Sequence, residues 1–389
     1  MLRIFFASAA SLLTDHLPSG EGLIAWELLS RLADRGHAVT ACADAADLHR
    51  APSFELVLLP NAQRWESLSP YTRPYAIRRA FERRGGSSAY DVVHWLFPQS
   101  EDVQFPPTTA ACRTVLGPLP RPWGKSDRAF GWRAGDLIRA PLTPSLSRRY
   151  ARECSATDVL LASLPEVVST LPRPDAARAR VLGFGIDASM YAVTPLPSIP
   201  RITFLGRLIE NKRVRVLYEA FRTVVQHVEG VELVFVGDGD LRPWLAQRSR
   251  EDGLGGRVLL AGAVPHDRVG KVLEEASILC LPSAGEPFGM VVLEAMAAGR
   301  PVVAVNLGGP RHLVRHGAGG LLVAPDDPAA LAAALIELLS DPERMRAMGQ
   351  YNRRATEHEW SWDRVLDGLE DAYRSRSTGP ARSAARTPG

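Results

Sequence analysis

The chain has 389 residues, 46% hydrophobic and 23% charged, the balance of a globular protein with room for two domains of ordinary size. Its 46 Lys and Arg against 43 Asp and Glu leave a net charge of +3, too even for the basic footprint of a nucleic-acid binder. No run approaches the roughly 18 apolar residues of a membrane span. The four cysteines, at 42, 112, 154 and 280, have neither metal nor redox spacing, which fits a reducing, cytoplasmic setting.

The opening LRIFFAS predicts a buried strand. Its strongly apolar part, residues 4–7, is too short for a secretory core and a polar Thr-Asp-His follows,. GLIAWELLSRLADRG predicts a helix ended at Gly36,. HAVTACA, FELVLLP and YDVVHWL predict further strands, and short apolar strands between helices predict a parallel sheet covered on both faces. YTRPYAIRRAFERRGG is basic, but its arginines, placed at 100° per residue, scatter around a helix, so a lipid surface is the less favoured partner,. Residues 118–146, rich in Pro, Trp and Arg, predict a long irregular segment of the functional or disordered kind,.

The proline-rich YAVTPLPSIPR sets the predicted domain boundary, with a first domain over 1–190 and a second over 200–358. RITFLG, VELVFVG, RVLLAG, SILCLPS and PVVAV predict the second set of strands. Between the first two, apolar residues at 214, 217, 221, 224 and 228 make a helical stripe,. TEHEWSWDRVLDGLEDAYR predicts a late amphipathic helix, and the tail over 375–389 is expected to be disordered,. The predicted class is α/β, with two doubly wound halves in tandem.

Several stretches carry chemistry. AGEPFG lies between a strand and a helix, at the carboxyl edge where open α/β sheets bind ligands. Helix-start N–H groups near Phe288, Gly289 and Met290 are donors there, and the carboxylates of Glu286 and Glu294 suit the hydroxyls of a sugar or ribose. A dipole-complementing Glu286 and a solvated Glu294 are the plainer alternative. In FLGRLIENKRV a strand ends at Gly206, Arg207 follows, and a helix is expected to open near Asn211 with Lys212 in its first turn. Cations there oppose the helix dipole unless a diphosphate is bound, so Arg207 and Lys212 read as a diphosphate clamp or as a solvated basic turn. The pocket is expected to be cationic at one end and acidic at the other.

Gly20-Glu21-Gly22 with Ala25 matches a dinucleotide fingerprint, but some eleven residues separate it from the first strand. The glycines therefore read as a loop approaching a phosphate or sugar. Asp238 and Asp240 read as a turn in preference to a metal site. His94, after an apolar strand, is either a core histidine or a substrate-facing one. Trp123 and Trp132 supply aromatic faces for an acceptor.

Taken together, GRLIENKR, VGDGDLRPWL, LAGAVPHDRVGKVLEEASILCLPS and EPFGMVVLEAMAAGRPVVAVNLGGPRHLV resemble the retaining glycosyltransferases of family 4, with weaker likeness at SGEGLIAWELLSRLADRGHAVT, DVVHWL and LGFGIDASMY. The resemblance implies a GT-B fold of two Rossmann-like domains facing across a cleft, with the helix around 360–374 returning to the first domain. It implies that Arg207 and Lys212 hold the donor diphosphate and that Glu294 binds the ribose. It also implies that Glu286 and the backbone at Phe288, Gly289 and Met290 hold the donor sugar, with Gly20, Gly22 and Gly206 beside it. Catalysis would fall to Glu286, Arg207 and Lys212. The donor would be a nucleoside-diphosphate sugar, uridine diphosphate on the family's habits, with no metal and no other cofactor. The acceptor would be a small soluble hydroxyl compound, such as a cyclitol, a sugar or a natural-product intermediate, touching His94, Trp123 and Trp132. Four positions depart from the family pattern: Glu21, which separates two glycines that are often adjacent, Leu116 and Leu96 where histidines are common, and His312 where an acid is common. They imply a rebuilt acceptor pocket or reduced activity. A GT-B epimerase and a non-catalytic sugar-nucleotide-binding partner are the alternatives.

Overall fold

The computed structural model describes residues 1–17, 20–59, 69–97, 112–119 and 154–375. Trp123, Trp132, most of the 118–146 segment and the tail beyond Ser375 lie outside the described residues. The described strands form two parallel sheets. The first holds β1 (Arg3–Thr14), β2 (Ala38–Asp47), β3 (Glu55–Leu58), β4 (Val92–Trp95), β5 (Arg113–Leu119), β6 (Val159–Ala162) and β7 (Ala179–Val181), in the order β3-β2-β1-β4-β5-β6-β7. The second holds β8 (Arg201–Leu205), β9 (Glu232–Val236), β10 (Val258–Gly262), β11 (Ile278–Leu281), β12 (Val302–Val305) and β13 (Gly320–Val323), in the order β10-β9-β8-β11-β12-β13.

Parallel strands need crossovers, and helices supply them. They are α1 (Gly20–Asp34), α2 (Ser69–Arg83), α3 (Pro165–Thr170), α4 (Arg173–Ala176), α5 (Val214–Val224) and α6 (Arg242–Glu251). The remainder are α7 (Val269–Glu274), α8 (Met290–Ala297), α9 (Gly308–Leu313), α10 (Pro328–Leu339), α11 (Pro342–His358) and α12 (Trp362–Arg374). Central strands covered on both faces read as unbroken apolar runs. β11 (ILCL) and β12 (VVAV) are buried at every position, whereas the edge strand β10 alternates and leaves Leu259 exposed. Each sheet reverses its order once, between β1 and β4 and between β8 and β11. Those reversals open a crevice at the carboxyl ends of the strands.

Several expectations are corrected. β1 runs on to Thr14, so five residues, not eleven, lead to α1. Gly20 and Gly22 therefore sit in the first turn of a helix and not in a loop. β5, β6, β7 and β13 were not among the predicted strands; the last three are only three or four residues long with no period to read. The helical stripe stops at Val224, and Val228 lies past the helix end. The late helix is two helices: the chain breaks at residues 359–361, where Ser361 caps α12 by accepting from Arg364 N–H at 3.3 Å,.

That break is where the chain crosses between the sheets. Ile186 N–H donates to Trp360 O at 2.8 Å. Arg353 donates to the carbonyls of Ala188, Tyr191 and Ala297. Beyond the break α12 packs on α1, and Arg35, just past the end of α1, is bonded to Asp363, Asp367 and Glu370.

Candidate functional site

β8 and β11 are neighbours with parallel direction, so the loops after them lie side by side. The β8 loop is bedded on the VGDGD turn: Leu208 N–H donates to Asp238 O (2.8 Å) and Leu241 N–H to Leu208 O (2.9 Å). Gly237 makes this possible, since a Cβ there would stand 1.9 Å from Gly206 O at a φ of 139°,. Asp238 Oδ1 accepts from Gly239 N–H at 2.8 Å, which is turn chemistry. Among the described residues no cluster of three His, Cys, Asp or Glu is arranged to hold a metal ion.

Lys212 does not stand in the first turn of α5. It ends a 3-10 turn, Glu210–Lys212, and Arg213 follows at φ 54°. Arg213 is held there by Asp326 Oδ1, 2.6 Å from its Nε. The helix-dipole argument for Lys212 thus falls away, and its charge partner is a carboxylate: Lys212 Nζ lies 2.5 Å from Glu286 Oε2. The side chains are 17% and 13% exposed. The expected separation of a cationic end from an acidic end is corrected accordingly. Arg207, by contrast, is exposed, and its side chain makes no hydrogen bond or ion pair with the described residues.

The Glu286 loop is tied from behind. Gly309 N–H donates to Glu286 O at 3.1 Å, and a Cβ on Gly309 would stand 1.7 Å from Phe288 O. Gly309→Ala must therefore push the backbone that carries Glu286. It should cost about 1–3 kcal/mol of stability, as overpacking does, and weaken donor binding. A melting curve with a nucleoside-diphosphate titration checks this, and wild-type values in both would show that the loop moves freely.

Phe288 turns its side chain away from the β8 loop into an aromatic row. Its ring meets Phe184 (4.9 Å) and Trp360 (6.1 Å), and Phe184 meets Phe97 (5.5 Å). The row joins the two sheets. The N–H groups of Phe288, Gly289 and Met290 have no partner among the described residues and stand at the start of α8, where donors are free.

Glu294, one turn into α8, is 8% exposed, which rules out the solvated reading. No donor among the described residues bonds its carboxylate, and burial alone pushes its pKa up to about 7. A buried carboxylate is ordinarily satisfied by donors; this one has only His266, whose Nδ1 is 3.7 Å from Glu294 Oε1.

Sequence reasoning missed His266, although it lies inside the family-like stretch LAGAVPHDRVGK. It opens the 3-10 turn His266–Arg268 after β10, and its N–H donates to His16 O at 3.4 Å. His16 belongs to the β1–α1 connection, which Asp15 shapes. Burial would raise the Asp15 pKa, but bonds from His49 N–H, His16, Arg50 N–H and the Arg50 side chain together hold it far below the usual carboxylate range. The His16 and His49 rings stack at 3.6 Å.

His94 is not a ligand contact. It is fully buried, its Nε2–H donates to Gly117 O and its Nδ1 accepts from Tyr373 O–H of α12, both at 2.7 Å. Burial lowers its pKa to about 4, with the Gly117 bond opposing. A folded-state pKa below the ordinary 6.5 means stability that is complete above pH 6.5 and lost as pH falls through 4. The loss amounts to about 3 kcal/mol,. His94→Gln should flatten the acid limb of a stability–pH curve between those values. An unchanged limb would show that another group governs it. Leu96 and Leu116 are likewise core side chains, and His312 Nε2 faces Glu166 of α3 at 3.4 Å.

Comparison with known proteins bears on the fold. Residues 199–341 match the family model described as "Glycosyl transferases group 1". The chain is 29% identical over 267 residues to a glycogen synthase of Mycobacterium tuberculosis, covering 68% of this chain and 64% of that protein. It is 35% identical over 193 residues to a D-inositol 3-phosphate glycosyltransferase of Corynebacterium urealyticum, covering 47% of this chain and 45% of that one. The chain thus spans under two thirds of the length of these relatives. A crystal structure of HepE from Anabaena, in complex with UDP and glucose, superposes with a TM-score of 0.69 at 17% identity, over 97% of this chain and 100% of that one. Two parallel sheets reversing at β1/β4 and β8/β11 make this a GT-B fold, and the segment that resembles the glycosyl transferases group 1 forms its second sheet.

Proposed function

We propose that the protein transfers a glycosyl group from a nucleoside-diphosphate sugar to a hydroxyl of a small acceptor. The observation that carries this reading is Glu294: a buried carboxylate without a hydrogen-bond donor among the described residues, on the helix that begins at the Glu286 loop, beside the Lys212–Glu286 pair. A ribose diol supplies the two donors that this carboxylate lacks. The free N–H groups at the start of α8 and the Lys212 ammonium face the sugar and the diphosphate. Arg207, exposed and without a partner among the described residues, completes the clamp on the phosphates.

In the transfer step negative charge grows on the leaving diphosphate, and fixed cations aimed there lower the barrier. Lys212, neutralised by Glu286 before the donor binds, turns to the phosphate, and the freed Glu286 carboxylate accepts from a donor-sugar hydroxyl. Uridine is the base we assign, supported by the UDP in the HepE complex. A polyol or sugar acceptor is supported by the inositol-phosphate relative's name. Transfer proceeds with retention of configuration and without a metal, so activity should survive chelator; a strict requirement for a divalent ion would contradict this. A thermal-shift screen against nucleoside diphosphates tests the reading, since a ligand at 100 times its Kd stabilises by about 2.7 kcal/mol. UDP and UDP-sugars should raise the melting temperature, and a flat response across all nucleotides would refute the reading.

A further inference from the structure

The residue nearest the Glu294 carboxylate carries an inference that rests on Glu294 as the acceptor of the ribose hydroxyls. His266 Nδ1 at 3.7 Å from Oε1 is just beyond hydrogen-bond reach,, and a small rotation of either side chain closes the gap. Both side chains are largely enclosed, 25% and 11% exposed. Within ion-pair distance no other cationic group meets Glu294 among the described residues.

Of the acids around the pair, Glu27 and Asp187 are themselves ion-paired. Burial lowers the His266 pKa, with Glu27 of α1 and Asp267 opposing, and a carboxylate formed on Glu294 beside it opposes that lowering further; burial raises the Tyr191 pKa, and the Glu294 charge adds to the rise. Arg31 pairs with Glu27 at 3.0 Å and with Asp187 at 2.9 Å, and Arg50 stands 3.8 Å from Glu27. His16 offers only its main-chain carbonyl, to the His266 N–H.

We propose that His266 is the proton partner of Glu294, taking up the proton this carboxyl must give up when it accepts the ribose hydroxyls. The proton leaves the Glu294 carboxyl oxygen and bonds to the Nδ1 lone pair of the Nε2–H tautomer. A carboxylate and an imidazolium result, and no proton leaves the site. His266 is thus a positioning residue. Its main-chain bond to His16 places this proton transfer at the contact between the second sheet's pocket and the β1–α1 connection of the first.

Isothermal titration of the whole protein with UDP-glucose at pH 6, in buffers of different ionisation enthalpy, counts the protons released. The diphosphate diester carries no proton near that pH, so the count reports on the protein. With Glu294 titrating at about 7, wild type should release close to none, and His266→Gln about 0.9 proton per ligand. Glu294→Gln should release none, with or without His266. His266→Asn serves as a second variant should the glutamine fold poorly. Equal release by wild type and His266→Gln overturns the role of His266 and leaves the ribose reading standing. Equal affinity of wild type and Glu294→Gln, or no binding of UDP-glucose to wild type, removes the reading beneath it.

Discussion

Replacing Lys212 by alanine should lower the rate of glycosyl transfer about 100- to 1,000-fold, the loss that follows removal of one group aimed at developing charge. The fold should survive. The turn that carries Lys212 is held by backbone bonds and by the Arg213–Asp326 pair, none of which uses the Lys212 side chain. What the fold loses is the partner of Glu286, a carboxylate only 13% exposed. Stranding it costs about 1–3 kcal/mol, visible as a lower melting temperature without loss of cooperativity. Lys212→Arg should not restore the rate, because a planar fork does not replace a compact ammonium. Turnover measured beside a melting curve separates the effects. Damage to stability large enough to explain the lost rate would mean that Lys212 is a structural residue.

Glu294→Gln has the second large effect, and its two parts have opposite signs. The amide offers one acceptor where the carboxylate offers two charged ones, so donor affinity should fall about 10- to 100-fold. Stability should rise. The carboxyl pKa is raised by burial from 4.5 to about 7, so its favourable contribution is complete below pH 4.5 and is lost as pH rises through 7. At pH 8 wild type carries a penalty of about 3 kcal/mol that the amide does not,. The variant should melt well above wild type at pH 8 and close to it at pH 5. A variant that is weaker in binding yet no more stable at pH 8 would mean that another group satisfies the carboxylate.

Most of the second sheet was legible because its strands are apolar runs, and because Glu286, Glu294, Arg207 and Lys212 lie in the loops, the turn and the helix that follow strands the sequence itself marks. What escaped reading depends on distance in sequence. Lys212 and Glu286 are 74 residues apart, and only the adjacency of β8 and β11 makes them a pair. His266 matters through Glu294 and through His16, which a single helix or strand pattern does not connect. His94 invited a ligand role by its place at a strand end. Its fate was decided by Tyr373, 279 residues later, from a helix that comes back to cover it. Gly20 and Gly22 were misread because β1 continues through Ala9, Ala10 and Ser11, residues that carry little strand preference by themselves.

The central claim is that the second sheet's crevice holds a nucleoside diphosphate with its ribose diol on Glu294. Titrating the protein with UDP and with its 2′,3′-dideoxy analogue tests it most directly, with wild type and Glu294→Gln side by side. Wild type should bind UDP at least tenfold more tightly than the analogue, and the variant should bind the two alike. Equal binding of both by wild type, or discrimination that survives in Glu294→Gln, would contradict the claim.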